Sequence, residues 1–166
     1  MKRILMLLMS LATVMQLASC APWPSAGVKG EFSRTLGVNL TDGHTVEEED
    51  THGGFLGDGT GCIALSFPDG RLEEQLAADP AWHSLPADET VQTLVWGTQD
   101  EGASISPCLT DSEGAPLVPA VQAGYYRLID RHSDTQTPIL ERGSFNFTVG
   151  VYDSDARILY YCELDT

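Results

Sequence analysis

The sequence predicts an α+β fold, in which an antiparallel sheet of about six strands carries one short helix packed on a face. Three observations support this prediction. From residue 44 onward, glycine, aspartate and proline divide the chain into short apolar or alternating runs, which are typical of strands joined by turns. Only one segment has helical periodicity. Residues 145–152 alternate between apolar and polar side chains, and the apolar run 158–164 returns after a four-residue turn, which predicts a β-hairpin.

The first two predicted strands precede the helix. Residues 44–50 are strongly charged, which favours an exposed edge of the sheet, where charge discourages pairing with another chain. Residues 62–67 place Ile63, Leu65 and Phe67 on one face, as expected of a strand that packs against a core.

The predicted helix follows the second strand. Asp69 can cap its first turn, and Leu72 and Leu76 lie four residues apart on one side. Pro80 marks the end of the helix, because proline cannot continue it.

Four further strands complete the predicted sheet. Residues 91–96 form a short apolar run that stops at Gly97, and residues 125–130 form another. The arms of the C-terminal hairpin are residues 145–152 and 158–164, with one apolar face.

The N-terminus has the features of an export signal. Lys2 and Arg3 precede an apolar run of 12 residues, 4–15, which suits a signal peptide and is too short to span a bilayer. The following Leu17-Ala18-Ser19-Cys20 resembles the lipobox of bacterial lipoprotein precursors. The resemblance implies cleavage before Cys20 and attachment of a diacylglycerol to its thiol.

These features divide the chain into three parts. Residues 1–19 are the predicted lipoprotein signal peptide, residues 20–38 a lipid-anchored flexible tether, and residues 39–166 a single globular α+β domain. The expected location is the extracytoplasmic face of a cell membrane, either a cytoplasmic membrane or a Gram-negative envelope, with the N-terminal lipid as the contact.

The charge excludes one class of partner. The full chain has a formal net charge of −15, and loss of Lys2 and Arg3 with the signal leaves 7 basic against 24 acidic residues, or −17. Such a chain repels nucleic acid, which proteins bind mainly through lysine and arginine. The acidity is consistent with attraction of cations or a basic partner, but simple solubility is the favoured explanation.

Three cysteines remain besides the anchor. Because Cys62, Cys108 and Cys162 are an odd number, at most one internal disulfide forms, and the sequence leaves the pairing open. Cys62 and Cys162 lie in predicted strands, which favours their interpretation as small buried hydrophobic side chains.

The glycine-rich segment 50–61 is the candidate metal site. Its glycines allow backbone turns that bring Asp50, His52 and Asp58 together, and carboxylate and imidazole are suitable ligands for a divalent cation. The favoured alternative is a hairpin in which these residues only form turns. Asp-x-His followed by Gly-Asp resembles the opening motifs of calcineurin-like metallophosphoesterases, but the motifs are too close together and the later histidine motif is absent, so that family is not assigned.

Nucleophilic catalysis has little support. No Gly-x-Ser-x-Gly motif is present, and Ser144 fits the entry to a strand. Cys108 could act as a nucleophile with His132 or His83 as its base, but a single cysteine and a histidine distant in sequence are too common a combination to indicate a catalytic site. No catalytic residue is therefore predicted.

Tyrosines offer a candidate binding surface. Adjacent pairs such as Tyr160-Tyr161 must place one ring on each face of a strand, so Tyr126, Tyr152 and Tyr161 are predicted to line an exposed face that binds a protein or small ligand. The alternative is cross-strand packing beneath a loop.

The leading hypothesis is a cell-envelope lipoprotein whose domain binds an envelope protein or small ligand without catalysis and needs no cofactor. The alternative is a divalent-metal-dependent hydrolase or cation-binding domain that uses Asp50, His52 and Asp58. The segments Asp50-Thr-His-Gly-Gly-Phe, Gly57-Asp-Gly and Arg142-Gly-Ser-Phe-Asn-Phe-Thr resemble small bacterial proteins of unknown function, which implies no activity.

Overall fold

The structure, a computed structural model, describes residues 25–53, 57–100 and 102–166. The predicted signal peptide and Cys20 lie outside these ranges. No helix in the described part of the chain is long and apolar enough to cross a membrane.

The predicted fold class is confirmed: the chain forms an antiparallel six-stranded sheet with helices on it. The strand order is β1-β2-β8-β7-β6-β3, and β4 and β5 form a separate two-stranded sheet. The strands are β1 (His44–Asp50), β2 (Gly59–Ser66), β3 (His83–Ser84), β4 (Thr98–Asp100), β5 (Ala103–Ile105), β6 (Gly124–Asp130), β7 (Asn146–Asp153) and β8 (Ile158–Asp165).

In the described residues, three α-helices stand where one was predicted: α1 (Ser25–Leu36), α2 (Arg71–Ala78) and α3 (Glu89–Trp96). The predicted helix is α2, which buries Leu72 and Leu76 as expected. Asp69 does not cap it by itself: Gly70 is the N-cap residue, and Asp69 accepts hydrogen bonds from the backbone N–H and Nε of Arg71. A short 3-10 helix follows at Ile139–Glu141.

Helix α1 corrects the predicted tether. Residues 25–36 are helical and belong to the folded domain, because Phe32 and Leu36 are buried against the sheet and Val38 follows them into the core. The sequence lacks a strong apolar stripe here, since buried positions are widely spaced among glycine, serine and charged residues. Any tether is therefore much shorter than residues 20–38.

Helix α3 corrects the predicted strand at residues 91–96. Asp88 accepts a hydrogen bond of 2.9 Å from the backbone N–H of Val91 and so caps the first turn. Gly97 ends the helix with a positive φ of 73°. A short apolar run with β-branched residues is compatible with a strand or a helix, and here the capping residues Asp88 and Gly97 favour the helix.

The sheet is covered on both faces. Leu94, Val95, Val118 and neighbouring side chains pack on one face, which we call the α3 face, against a cluster that includes Phe147. Helices α1 and α2 cover the other, the α1 face. The C-terminal hairpin was expected to have one apolar face, but β7 and β8 lie in the middle of the sheet and are buried on both.

Gly150 lets α1 approach the sheet closely. A Cβ atom at this position would lie 2.6 Å from Cη2 of Trp82 and 3.2 Å from the methyl groups of Leu36. The end of α1 is held by hydrogen bonds to the carbonyl oxygen of Leu36 from Nε1 of Trp82, at 3.4 Å, and from Nη1 of Arg127, at 2.8 Å.

A disulfide joins Cys62 of β2 to Cys162 of β8, which are register partners. The interpretation of these cysteines as buried thiols was therefore wrong. Because disulfides persist in oxidising compartments, the bond indicates an extracytoplasmic domain. Cys108 is a free, half-buried cysteine.

The predicted edge strand is confirmed. β1 stands at one end of the strand order, and a register irregularity lies between Thr45 and Glu47. Val46 is 55% exposed at this point. The bulge and the run of glutamates after it both hinder pairing of this edge with a second sheet.

Candidate functional site

The glycine-rich segment brings two of its three candidate residues together. Asp50 Oδ1 accepts hydrogen bonds from the backbone N–H of His52, at 2.9 Å, and from Nδ1 of its ring, at 2.7 Å. The histidine lies directly over β2: a Cβ atom at Gly59 would be 2.5 Å from Cα of His52, and one at Gly61 would be 3.3 Å from the ring. These two glycines therefore make room for His52 on the α1 face.

Two residues that the sequence did not identify complete this cluster. Asp165 is the register partner of Gly59, and its Oδ2 atom lies 3.5 Å from Nε2 of His52. Arg131 binds the same carboxylate, with Nη1 3.0 Å from Oδ1. No sequence signal could have located them, because their meeting depends on the pairing of β8 with β2.

The cluster offers limited room for a cation. Nδ1 of His52 is already engaged by Asp50, and Arg131 neutralises Asp165. Asp58 is exposed and forms no hydrogen bond or ion pair within the part of the chain that the structure describes. Throughout the described ranges, no three histidine, cysteine, aspartate or glutamate side chains are placed to hold a metal ion.

The predicted tyrosine surface is corrected, because all three side chains are buried. Tyr126, Tyr152 and Tyr161 are 6%, 0% and 2% exposed. They lie beneath helices and connecting segments on the two faces of the sheet, so they cannot contact a partner. Cross-strand packing, the alternative, describes them better.

Tyr161 belongs to a buried polar group beside α1. Its ring stacks on Phe32 with 3.7 Å between ring centres, and its hydroxyl donates to Oε1 of Glu163, which also accepts from Thr148. Burial, with a further contribution from Glu163, raises the pKa of Tyr161 above its usual range. The hydroxyl thus stays protonated and is a structural donor.

Ser144 and His132 form a contact that resembles the nucleophile and base of a catalytic dyad. Nε2 of His132 lies 3.1 Å from the Ser144 hydroxyl. Nδ1 lies 2.9 Å from the backbone nitrogen of Asp134 and 3.4 Å from its carbonyl oxygen. The group that faces Nδ1 in the described residues is therefore a backbone segment and not the carboxylate that orients the base in a triad.

Cys108 is likewise a poor nucleophile. Burial raises the pKa of its thiol, which keeps the thiol in the unreactive protonated form. Its backbone N–H donates to the carbonyl of Leu94 at 2.9 Å, which ties the loop to the end of α3.

An open groove beside α3 is the best candidate binding site. It encloses about 300 Å³. One wall is formed by Trp96 and Gln92 of α3, and the residues that line the whole groove are Leu85, Pro86, Ala87, Gln92, Trp96, Ala120, Val121 and Gln122.

Hydrogen bonds hold the polar atoms of this wall in place. Nε1 of Trp96 donates to the carbonyl oxygen of Pro119 at 2.9 Å. Nε2 of Gln92 donates to the carbonyl oxygen of Gly97 at 3.2 Å, which leaves the amide oxygen as the acceptor that a ligand can use. Sequence reasoning missed the groove because it assigned residues 91–96 to a strand.

The groove has the composition of a ligand pocket rather than of a catalytic site. None of its lining residues is acidic, basic or nucleophilic, and aliphatic, aromatic and proline side chains dominate. Apolar walls with a few fixed polar groups are typical of small-molecule sites, and this volume is at the small end of their range. The chain matches no known protein family, and neither a curated protein nor a solved structure is significantly similar to it.

Proposed function

We propose that this protein is a lipid-anchored envelope lipoprotein whose domain binds a small, largely apolar ligand in the Trp96 groove without catalysing a reaction. The groove is the observation that carries the proposal. It combines a half-buried tryptophan with aliphatic walls and with amide groups from Gln92 and Gln122.

The location rests on two independent features. The Leu17-Ala18-Ser19-Cys20 motif supports lipidation at Cys20, and the Cys62–Cys162 disulfide supports an oxidising compartment. A ligand that is uncharged suits the groove, because a charged group would lose its hydration there without finding an oppositely charged partner.

The test uses N-phenyl-1-naphthylamine, a neutral apolar dye whose fluorescence rises in apolar surroundings. We expect the dye to bind the purified protein and to accept excitation energy from Trp96. Val121→Arg places a charge in the groove and should weaken dye binding at least tenfold.

Val46→Arg is the matched control, since it introduces the same side chain at the exposed edge strand, far from the groove in the strand order. It should leave dye binding unchanged. Equal binding by the parent and Val121→Arg would exclude the groove as the binding site.

A cation-binding function is the second candidate, because His52 lies between the carboxylates of Asp50 and Asp165. A cation would have to displace the hydrogen bond between Nδ1 and Asp50 and compete with Arg131 for Asp165. Binding of Ca²⁺, Mn²⁺ or Zn²⁺ at 100 times its dissociation constant would stabilise the fold by roughly 2.7 kcal/mol. His52→Ala should abolish the resulting rise in Tm, whereas Asp58→Ala should preserve it. The absence of any rise with all three metals would rule this function out.

A further inference from the structure

Helix α1 is fixed to the domain from Lys29 to its C-terminal end. Phe32 stacks on Tyr161, Leu36 is completely buried, and Nζ of Lys29 donates a 2.6 Å hydrogen bond to the carbonyl oxygen of Gly43. The hydroxyl of Ser33 accepts from the backbone N–H of Leu40 at 3.1 Å. The chain therefore cannot extend as a spacer beyond the first turn of α1, and with the helix intact the spacer ends at Ser25.

This attachment limits how far the domain can lie from a lipid on Cys20. Only residues 21–24 separate Cys20 from the first residue of α1, Ser25. Five peptide steps span at most about 18 Å even when fully extended. A tether through residue 38 would have reached about 60 Å. The available reach is close to the radius of gyration of a domain of this size, about 14 Å.

The charge distribution favours one orientation at this distance. Helix α1 carries Lys29 and Arg34 against Glu31, a formal charge of +1, whereas the mature chain as a whole carries −17. Helix α2, which lies on the same face of the sheet as α1, carries Arg71 against two glutamates, so the net positive charge belongs to α1 and not to the whole face. Helix α3, on the other face, carries only Glu89. An anionic membrane surface repels acidic groups and attracts basic ones.

We infer that α1 forms the membrane-facing surface of the domain, held within about 18 Å of an anionic bilayer, and that the Trp96 groove opens away from the membrane. The second part follows from the sheet, because α1 packs on one face and the groove residues pack on the other. The inference rests on the proposed lipidation of Cys20, and its partner is the phospholipid headgroup layer.

The experiment measures energy transfer from the protein to headgroup-labelled lipid. Full-length lipidated chain carrying Cys108→Ser is reconstituted into vesicles of phosphatidylethanolamine and phosphatidylglycerol. A donor dye is attached at Gly30→Cys, where an added Cβ meets no atom within 4 Å, or at Gln99→Cys in β4 beyond the end of α3. Glu31→Cys is a second exposed position on α1.

We expect transfer from residues 30 and 31 to be at least twofold more efficient than from residue 99. Twenty glycine and serine residues inserted between Pro24 and Ser25 provide a flexible spacer of about 25 Å, which should remove the difference. Equal transfer from both faces of a lipidated chain, or a difference that the spacer leaves intact, would overturn the inference alone. A mass without lipid on Cys20 would overturn the proposed anchoring itself.

Discussion

Gly150 lies where the layer of α1 comes nearest to the sheet. Gly150→Ala would force a Cβ atom against Trp82 and Leu36, and such overpacking costs about 1–3 kcal/mol. We therefore expect Tm to fall by about 3–10 °C in a thermal unfolding scan.

Gly30→Ala is the matched control for this substitution. A Cβ atom at Gly30 meets nothing within 4 Å, and alanine is a better helix former than glycine by about 0.5–1 kcal/mol. This variant should be unchanged or more stable. If both variants lost the same stability, close packing at Gly150 would not be the cause.

Asp134 makes the free energy of unfolding depend on pH under acidic conditions. Hydrogen bonds from the Thr137 side chain, and then from the backbone N–H groups of Gln136 and Thr137, lower its pKa to about 2 from a usual 3.8. A carboxylate whose folded pKa is depressed stabilises the fold above its unfolded pKa, and the contribution disappears as the pH falls from about 4 to about 2.

We expect Asp134→Asn to flatten the decline in unfolding free energy between pH 4 and pH 2, measured by urea titration at each pH. Asparagine has no carboxyl group to protonate, so the variant lacks the pKa difference between the folded and unfolded states that causes this decline. Asp155→Asn, at an exposed turn after β7, serves as the control. A decline as steep in Asp134→Asn as in the parent would show that this carboxylate contributes nothing to acid stability.

The same segment holds a second depressed carboxyl. The guanidinium of Arg142, 2.8 Å from Asp130, donates a hydrogen bond that lowers the pKa of this aspartate. The Arg142 side chain is only 5% exposed, so this ion pair packs the segment between β6 and β7 rather than standing in solvent. Residual acid sensitivity in Asp134→Asn is expected to come from Asp130 and from Asp69, whose pKa is lowered by the hydrogen bond from the backbone N–H of Arg71.

At the scale of elements, α3 depends on its N-terminal cap. Asp88→Ala removes the acceptor for the Val91 backbone N–H and the contact with the Tyr126 hydroxyl, and loss of such a cap costs about 1 kcal/mol. We expect a lower urea midpoint with an unchanged m value.

Asp88→Ser keeps a capping oxygen and should retain most of the stability, while Tyr126→Phe isolates the contribution of the hydroxyl. If Asp88→Ser were as unstable as Asp88→Ala, the loss would arise from the tyrosine contact instead of the cap. Because Trp96 lies at the other end of α3, dye binding in these variants also reports how firmly the groove wall is held.

Whether the sequence predicted a strand or helix correctly depended on the length of the element and on how clear its pattern of apolar residues is. The strands β7 and β8 each have eight residues and lie on either side of a clear turn, β7 with alternating side chains and β8 with an apolar run, so both were recognised from sequence. Helix α3 has only eight residues and buries β-branched side chains, so apolar content alone suggested a strand. Helix α1 buries Phe32 and Leu36 through contacts with distant strands, and its own sequence gave no sign of them.

The candidate sites were harder to predict than the elements. Asp50 and His52 were identified because they are close in sequence, whereas Asp165 and Arg131 join them only through strand register. The tyrosines were predicted to lie on a surface because helices were expected on only one face of the sheet. Both faces are in fact covered, so the tyrosines are buried. The groove joins three separated segments, which no local pattern connects.

At the scale of the whole molecule, the disulfide connects strands that are 100 residues apart in sequence. Closing a loop of this length restricts the unfolded chain and stabilises the fold by about 4–5 kcal/mol. The double variant Cys62→Ala/Cys162→Ala should therefore lose several kcal/mol in urea unfolding, with the parent compared before and after reduction.

Cys108→Ser provides the control, because this cysteine forms no disulfide. Its unfolding midpoint should be close to that of the parent, and non-reducing electrophoresis should still show the compact oxidised monomer. A loss of stability in Cys108→Ser equal to that of the double variant would mean that a different pair of cysteines is joined in solution.

The position of β8 has a consequence for the order of events during biogenesis. This strand comes after all the others in sequence, yet it lies between β2 and β7 in the middle of the sheet. Until Ile158–Asp165 has been synthesised, β2 has no partner on that side and the disulfide between Cys62 and Cys162 cannot form. Pairing across such long separations is slow. The pair formed by β1 and β2 therefore cannot join the rest of the sheet until β8 has been made, and oxidation of Cys62 and Cys162 marks the completion of the sheet.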